Sequence, residues 1–299
     1  MNETQIEWVR NRDGSQGYTW NPITGCLNHD NGLCKGGGFP CYAYRLANGR
    51  LKQRYLANSN WCHWNPPENG YYDPFYPRFW EERIACQFSY YGKKKQGIFV
   101  CDMSDMFGTG IPDEWTRAIL KLIDAYPQHR FYLLTKQPQN LIKWSPFPES
   151  CYVGVTATTR DMFSWACCYL ADVKAKVKYI SFEPLLTPII LDQELDMGSM
   201  HGIGINWLII GACTGTYDDM AKLCMKYAGL HPKRWGKRWT AQPPIEWVRE
   251  IVEAADRAGI PVFLKDNLRP IASDIALFAN PTAVYPYGVL RQEMPKGVK

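Results

Sequence analysis

From Gly97 onward the sequence alternates short apolar segments with longer segments of helical periodicity, and this alternation restricts the fold more than any other feature. The predicted strands are Gly97–Cys101, Arg130–Leu134, Cys151–Val155, Val177–Ser181, Asn206–Ile210 and Ile260–Leu264. The segments between them that follow a helical pattern are Asp113–Tyr126, Gln139–Trp144, Arg160–Asp172 and Pro244–Ala258. Repeated β-α units with nearly continuous apolar strands predict an α/β fold in which helices cover a parallel sheet.

Polar or small residues follow each predicted strand directly. These segments are Asp102-Met103-Ser104-Asp105, Thr135-Lys136, Thr156-Ala157-Thr158, Phe182-Glu183-Pro184, Gly211–Gly215 and Lys265-Asp266-Asn267. In parallel α/β sheets, ligands bind at the carboxyl ends of the strands. One polar strand end is ordinary capping, whereas six of them along one chain favour a lined cavity.

The carboxylates at these strand ends are candidate ligand-binding groups. Glu183 lies between an apolar strand and a proline, where it either holds a substrate amine or ribose hydroxyl or caps the following turn. Asp102, Ser104 and Asp105 offer acceptors for an ammonium group. Because Asp113 is the better predicted N-cap of the next helix, we expect the earlier three residues to be available for binding.

Two lysines occupy equivalent strand-end positions. Lys136 and Lys265 could each neutralise a carboxylate or a phosphate, although an exposed lysine is the commoner outcome. Lys265 is the stronger candidate, since it follows a strongly apolar strand.

The loop of residues 25–44, here called the cysteine loop, contains Cys26, Cys34 and Cys41 and leads into a predicted helix, Tyr42–Leu56. Thiolates are soft ligands that suit zinc, copper(I) and iron–sulfur clusters. A structural zinc site normally has four ligands, whereas three thiolates leave one metal position open. His29 lies within the loop and could be a fourth ligand. The loop therefore predicts a metal or cluster site, with zinc and iron–sulfur both open.

Composition and charge restrict the class of protein. The chain has 299 residues, of which 46% are hydrophobic and 21% charged, and these values are typical of a globular protein. The net charge of +5 permits an anionic substrate without requiring nucleic acid. Residues Met1 to Thr19 contain no apolar signal segment, and no apolar run approaches the ~20 residues of a membrane span. We therefore expect a cytoplasmic protein with reduced cysteines and no membrane association.

Cysteines expected to be small buried residues are Cys86, Cys101, Cys151, Cys167, Cys168 and Cys224.

We expect one domain over residues 1–299, with four local features. Residues 1–24 are predicted to form a hairpin of strands Thr4–Val9 and Tyr18–Trp20. Residues 60–77 are rich in proline and aromatic residues and form either a lid or a packed cover. Residues 216–243 form a basic, aromatic-rich insertion. Its segment His231–Trp239 suits either a nucleic-acid backbone with stacked bases or packed tryptophans with solvated cations.

Ordered motifs along nearly the whole chain carry a resemblance to a known family. The matching segments are Thr4–Trp8 with Thr19-Trp20-Asn21-Pro22, Gly25-Cys26, Cys41-Tyr42-Ala43, Met103–Phe107, Leu134-Thr135-Lys136, Gly154-Val155, Ser181–Leu186 and Glu246–Arg249. With them the chain resembles the radical S-adenosylmethionine superfamily, and more narrowly its phage-associated three-cysteine family of unassigned substrate.

The resemblance implies a fold, two cofactors and an activity. The fold would be a partial (β/α)6 TIM-like barrel, and Cys26, Cys34 and Cys41 would hold a [4Fe–4S] cluster whose open iron binds S-adenosylmethionine. An electron from a donor such as flavodoxin or ferredoxin would cleave S-adenosylmethionine to methionine and a deoxyadenosyl radical. That radical would abstract a hydrogen from an unknown substrate, shielded from water by the barrel.

The resemblance also implies roles for individual residues. Asp102–Asp105 would lie near the methionine amino group, and Glu183 near the nucleoside or the substrate. Tyr42 directly after the last cysteine is similar to the arrangement in spore photoproduct lyase, which makes nucleic acid a substrate class to test. The implied cofactor-binding residues are Tyr42, Asp102, Ser104, Asp105, Thr135, Lys136, Thr156 and Glu183, and the implied catalytic residues are Cys213 and Lys265.

Three departures from the family pattern stand beside these matches. Six residues, Lys35–Pro40, separate the second and third cysteines where two are usual. The segment Gly211-Ala212-Cys213-Thr214-Gly215 has a cysteine in place of the glutamate in the family's Gly-Gly-Glu-Ser-Gly. Near the C-terminus, Lys265-Asp266-Asn267 stands in place of the family's Lys-Gln-Trp. Two rival hypotheses therefore remain: a zinc-stabilised nucleic-acid-binding or adaptor module using the cysteines with His29, and a barrel enzyme that has lost its cluster.

Overall fold

The computed structural model of the chain describes residues 1–58, 72–84, 95–189, 202–272 and 290–295. The strands are β1 Asn2–Glu3, β2 Tyr18–Trp20, β3 Ile23–Thr24, β4 His29–Asp30, β5 Leu33–Cys34, β6 Arg78–Phe79, β7 Gly97–Val100, β8 Arg130–Thr135, β9 Cys151–Thr156, β10 Val177–Phe182, β11 Ile205–Ile210, β12 Cys213–Gly215, β13 His231–Trp235, β14 Arg238–Gln242 and β15 Val262–Leu264. The α-helices are α1 Tyr42–Asn48, α2 Lys52–Leu56, α3 Asp113–Ala125, α4 Arg160–Ala171, α5 Tyr217–Lys226 and α6 Ile245–Ala258. Short 3-10 helices cover Glu81–Arg83, Pro138–Asn140, Ile142–Trp144 and Asp266–Ile271.

The main sheet has eight strands in the order β1-β2-β7-β8-β9-β10-β11-β15. β1 pairs with β2 antiparallel, whereas β2–β7, β7–β8, β10–β11 and β11–β15 are parallel. The predicted α/β class with mostly parallel strands is confirmed, and this strand order is consistent with the predicted partial TIM-like barrel. Smaller sheets pair β3 with β6, β4 with β5, and β14 with both β12 and β13.

The chain divides into two compact units, Met1–Val153 with Val173–Lys176, and Gly154–Asp172 with Val177–Lys299. The first unit has an aromatic core in which Trp8 packs on Phe99 at 4.9 Å and on Tyr132 at 5.6 Å between ring centroids. Tyr132 in turn meets Tyr152 edge-on at 5.3 Å. Such tilted and edge-on contacts are the favoured geometries for aromatic pairs.

The second unit has an aromatic layer of its own on β10, β11 and β15. Tyr179 lies 5.5 Å from Trp207, and Trp207 lies 6.3 Å from Phe263, again between ring centroids. Gly154 on β9 leaves room for this layer, because a Cβ at residue 154 would collide with the Tyr179 ring. Gly154 and Tyr179 therefore share one face of the sheet. Thr156 and Ser181 lie on the same face, because each is two residues further along its strand.

Most predicted strands and helices of the main sheet are present, with ends that differ by one or two residues. Two predictions were wrong. Thr4–Val9 is not a strand, because the Thr4 side chain accepts a hydrogen bond from Ile6 N at 3.2 Å and the chain turns there. The single helix Tyr42–Leu56 is two helices, α1 and α2, divided where Gly49 leaves helical backbone angles.

Smaller differences concern caps and cysteines. Asp113 is the first residue of α3 rather than its N-cap, which is Pro112. Cys101 and Cys151 are buried, as expected. Cys168 is exposed, and Cys167 and Cys224 are only partly buried. The latter three lie on helices, whose outer faces remain in water. Cys86 and much of the predicted cover segment lie outside the described residues.

The described helices include none that is long and apolar enough to cross a membrane.

Candidate functional site

The start of the cysteine loop is bound to the segment that follows β7. Gly25 N donates to Met103 O at 2.9 Å, and Ser104 Oγ donates to Gly25 O at 2.5 Å. Gly25 has a φ of +89°, and a Cβ at this residue would collide with the carbonyl of Phe75. The loop therefore begins at a position that only glycine fits, and Ser104 has a positioning role there.

The remainder of the loop folds back on itself. β4 and β5 form a small hairpin with its turn at Asn31 and Gly32, both with positive φ. Cys34 N donates to Phe39 O at 2.9 Å, and Cys41 N donates to Gly32 O at 2.8 Å. The six residues between Cys34 and Cys41 thus form a compact turn that returns the chain beside the hairpin.

The three thiols and Lys136 form one electrostatically coupled group. Burial raises the pKa of Cys26 to about 12, with smaller contributions from Asp105, Cys34 and Cys41. Burial also raises the pKa of Cys34, and Lys136 opposes that shift. Burial alone would lower the pKa of Lys136, but Cys34, Asp105, Cys41 and Cys26 outweigh it, so the pKa of Lys136 is raised. The positively charged Lys136 side chain therefore lies close to the three thiols.

No group of three or more His, Cys, Asp and Glu side chains in the described part of the chain has the spacing of a metal site. The three thiols are nevertheless free, mutually coupled and close to a cation. In its donor chemistry this set fits a metal that prefers thiolates.

Asp105 is engaged by the protein itself. Its carboxylate accepts hydrogen bonds from Thr135 Oγ1 at 2.9 Å, from Lys136 N at 3.0 Å and from Phe107 N at 3.2 Å. Burial raises the pKa of Asp105, and these hydrogen bonds oppose the shift. Asp105 and Thr135 thus connect the end of β8 to the segment after β7, and Asp105 has the contacts of a positioning residue.

Asn21 was missed as a site residue from the sequence, where it entered only as part of the matching segment Thr19-Trp20-Asn21-Pro22. Its side chain donates to Asp102 Oδ1 at 2.6 Å and accepts from Met103 N at 3.0 Å. Tyr42 OH donates to the carbonyl of Asp102. Burial raises the pKa of Asp102, and the Asn21 hydrogen bond opposes the shift. Asn21 therefore fixes the strand-end segment, and an Asn directly after the short strand Tyr18–Trp20 was the available signal.

His29, the fourth ligand of the zinc hypothesis, packs among aromatic rings. Its ring lies 5.0 Å from Tyr44 and 5.3 Å from Phe75 between centroids, and Nδ1 accepts from Gly32 N at 3.4 Å. Burial lowers the pKa of His29.

The second unit holds an ion pair at its strand ends. Lys265 Nζ contacts Glu183 Oε1, and the two side chains are 13% and 27% exposed. A Cβ at Gly211 would lie 3.0 Å from Lys265 and 3.4 Å from Glu183, so glycine leaves room for this pair. Lys265, predicted from sequence to neutralise an anion, has Glu183 as its carboxylate partner.

Two buried hydroxyls lie on the sheet face below this ion pair. Thr156 Oγ1 and Ser181 Oγ are fully buried and have no hydrogen-bond partner among the described residues. Thr156 was a candidate from its strand-end position, whereas Ser181 was missed because it lies one residue inside the strand. Buried hydroxyls without partners are costly, so this pair suits a polar group supplied by a ligand.

Asn267, after β15, binds the segment that follows β11 and leads into Cys213. Asn267 Oδ1 accepts from Ala212 N at 3.1 Å, and Asn267 Nδ2 donates to Ala212 O at 2.8 Å. Cys213 is buried on β12, paired with Ala241 of β14.

The candidate residues thus fall into two groups, one in each unit. The first comprises Cys26, Cys34, Cys41, Tyr42, Asp102, Ser104, Asp105, Thr135 and Lys136, and the second Thr156, Glu183, Cys213 and Lys265.

Comparisons with known proteins give one family match. Residues 3–222 match the family described as "Protein of unknown function (DUF5131)". No curated protein sequence matches the chain.

Among solved structures, spore photoproduct lyase complexed with dinucleoside spore photoproduct is similar with a TM-score of 0.47 and 15% identity, covering 81% of this chain and 75% of that one. A double mutant of spore photoproduct lyase with bound AdoMet and dinucleoside spore photoproduct gives a TM-score of 0.47 and 12% identity, covering 86% and 77%. At these low values we base the function below on the residues of this chain.

Proposed function

The chain belongs to the DUF5131 family of proteins of unknown function, and we propose that it is a radical S-adenosylmethionine enzyme.

The observation that carries the proposal is the coupled group of thiols and cation. Cys34 and Cys41 both raise the pKa of Cys26, Cys41 raises the pKa of Cys34, and Lys136 lies close enough to oppose the burial shift at Cys34. Three thiolates alone would carry three negative charges in a largely buried place, which is unfavourable without a metal and a counter-cation. Lys136 supplies that cation from the end of β8.

The donor set suits an iron–sulfur cluster, and Cys26, Cys34 and Cys41 would hold it. When bound, a reduced [4Fe–4S] cluster supplies the electron that cleaves the sulfonium of S-adenosylmethionine. The compact turn between Cys34 and Cys41 supports this assignment, because it absorbs the additional residues of the loop.

The residues around the thiols would position the loop and bind the cofactor's polar groups. Asn21 and Tyr42 hold the Asp102 segment through its carboxylate and its carbonyl. Ser104 holds the first turn of the loop. Asp102 is the carboxylate that we assign to the ammonium group of S-adenosylmethionine, because Asp105 is already engaged by Thr135 and by backbone amides.

Within the second unit, polar residues at the strand ends are those that we propose for binding a nucleoside or a substrate. The ion pair of Glu183 and Lys265 offers a carboxylate acceptor and an ammonium donor, and Thr156 offers a buried hydroxyl that has no partner among the described residues. Cys213 and Lys265 are the residues we assign to the chemistry on the substrate. A one-electron donor such as flavodoxin or ferredoxin is required, which fits a cytoplasmic enzyme.

Metal analysis tests the proposal against the zinc hypothesis. Anaerobically reconstituted protein is expected to be brown and to contain about four irons per chain. A variant with Ala at Cys26, Cys34 and Cys41 should lose the iron. Cys168→Ser should keep it, because Cys168 is an exposed thiol on α4. Colourless protein with one zinc per chain would refute the proposal.

A further inference from the structure

Residues 231–242, here called the basic hairpin, form a structure that the sequence did not predict. β13 and β14 pair antiparallel around Gly236, whose φ is +60°. Neither strand has the alternating apolar pattern from which strands are usually recognised. The hairpin was therefore anticipated only as a basic, aromatic connection.

The inner half of the hairpin is anchored on both faces within the second unit. On one face Trp239 meets Tyr217 of α5 edge-on, with ring centroids 4.8 Å apart. On the other face Gln242 Nε2 donates to Asn267 O at 2.6 Å, and Lys233 Nζ donates to Pro270 O at 3.3 Å. The outer half is thus held on a fixed base and presented to solvent.

Positive charge is concentrated in this region. Between Met220 and Ile245 the sequence has six Lys and Arg residues and no Asp or Glu, whereas the whole chain has a net charge of only +5. Arg234, Lys237 and Arg238 are exposed. No ion pair neutralises these three side chains within the part of the chain that the structure describes, and Arg234 Nε donates only to Gly236 O at 3.2 Å. The nearest acidic residues in sequence are Glu246, in the first turn of α6, and on the other side Asp218 and Asp219 at the start of α5, where Asp219 belongs to a capping box.

The strand register alternates cations with aromatic rings. Arg234 lies opposite Trp239, and Trp235 lies opposite Arg238. Tyr217 is 51% exposed although it contacts Trp239, which is the residue opposite Arg234 in the hairpin. An exposed aromatic ring beside unpaired cations matches the surface on which a base stacks while its phosphate is neutralised.

We propose that the basic hairpin, together with Tyr217, binds single-stranded nucleic acid. The guanidinium and ammonium groups contact the phosphates, and Tyr217 stacks on an unpaired base. A single strand fits better than a duplex, because bases in a duplex are stacked on one another and do not offer a free face to an aromatic side chain. The proposal for this surface does not rest on the iron–sulfur proposal, since it uses no residue of the cysteine loop.

Binding of a fluorescently labelled twelve-residue oligothymidylate, followed by anisotropy over a salt series, tests the charge component. The variant Arg234→Gln/Lys237→Gln/Arg238→Gln should bind more weakly than the wild type. Its plot of log affinity against log salt should be less steep by about 2, because each phosphate contact on a single strand contributes roughly 0.7.

The matched control Lys121→Gln/Lys174→Gln/Arg257→Gln also removes three exposed positive charges, none of which belongs to the basic hairpin. It should bind nearly as the wild type does, with the same salt slope. Equal losses in the two triple variants would overturn the proposal, because binding would then follow net charge alone. Thermal melting shows whether either variant fails to fold.

Stacking is tested separately with Tyr217. Tyr217→Ala should weaken binding about tenfold with an unchanged salt slope, whereas Tyr217→Phe should retain it. If Tyr217→Ala has no effect and heparin or duplex DNA competes as well as oligothymidylate, the surface binds polyanions in general and the single-strand proposal is wrong. The apoprotein suffices for these measurements, so their failure leaves the cluster proposal untouched.

Discussion

Lys136 and Cys34 act on each other's ionisation in opposite directions. Lys136 is the largest influence that opposes the burial-raised pKa of Cys34, and Cys34 is the largest influence that raises the pKa of Lys136. Lys136 also lies 5.9 Å from the centroid of the Phe39 ring, within the turn that separates Cys34 from Cys41. The end of β8 thus supplies the charge that the cysteine loop needs for a thiolate-bound metal.

Lys136→Gln should weaken iron binding by roughly tenfold or more, which is the usual cost of removing a group that supports metal ligands from outside the coordination sphere. Lys136→Arg keeps the charge and should retain most of the iron. Iron per chain after reconstitution at limiting iron distinguishes the variants. Equal iron in Lys136→Gln and wild type would contradict the charge-balancing role.

The metal-free thiols should react with iodoacetamide in a defined order. Because burial raises the pKa of Cys26 to about 12, its thiol remains protonated at pH 7.5 and only the thiolate reacts. The exposed Cys168 should therefore be alkylated first, and the rate at Cys26 should still be rising above pH 9. Peptide mass spectrometry over time gives both rates. Similar rates at pH 7.5 would show that Cys26 is not buried as described.

Gly154→Ala should destabilise the protein by about 1–3 kcal/mol, the usual cost of overpacking a core, because the added methyl collides with the Tyr179 ring. Gly202→Ala is the matched control, since no atom of the described residues lies within 4 Å of a Cβ at that position. Urea unfolding measures both variants. A Gly154→Ala protein as stable as the control would mean that the aromatic layer of the second unit is packed differently.

The ion pair of Lys265 and Glu183 should show energetic coupling in a double-mutant cycle of Lys265→Met and Glu183→Gln. Both side chains are partly exposed, so we expect a coupling of about 1–2 kcal/mol, between the values for surface and buried pairs. Denaturant unfolding of the two single variants and the double variant gives the coupling directly. Additive effects would indicate that the two side chains do not interact in solution.

His29→Ala separates the cluster and zinc hypotheses. The cluster account predicts unchanged iron per chain and a modest loss of stability from the contacts with Tyr44 and Phe75. The zinc account predicts loss of bound metal. His29→Phe serves as a control that keeps an aromatic ring without a nitrogen ligand.

The main sheet could be predicted from the sequence because its strands are buried on both faces and are therefore continuously apolar, as in Cys151–Thr156 and Val177–Phe182. The basic hairpin could not, because β13 and β14 owe their pairing to backbone register and to contacts with α5 and the Asp266–Ile271 turn. Gly49 inside an otherwise helical pattern was likewise too weak a signal to locate the break between α1 and α2.

The sequence predicted which residues lie at the candidate site more readily than it predicted which of them contact one another. The polar strand ends identified Asp105 and Lys265 correctly as strand-end residues, but no pattern indicates that Asp105 is engaged by Thr135 or that Lys265 is paired with Glu183. Such partners come from neighbouring strands that are distant in sequence. Asn21 was missed for the same reason, since Asp102 lies 81 residues further along the chain.

Reductive cleavage of S-adenosylmethionine tests the central claim most directly. Reconstituted wild-type protein, reduced with dithionite under anaerobic conditions, should convert S-adenosylmethionine to 5′-deoxyadenosine and methionine, and Cys34→Ser should not, while Cys168→Ser should behave as the wild type. Chromatography of the nucleoside products measures all three. Iron-loaded, reduced wild-type protein that forms no 5′-deoxyadenosine above the level of Cys34→Ser would contradict the account.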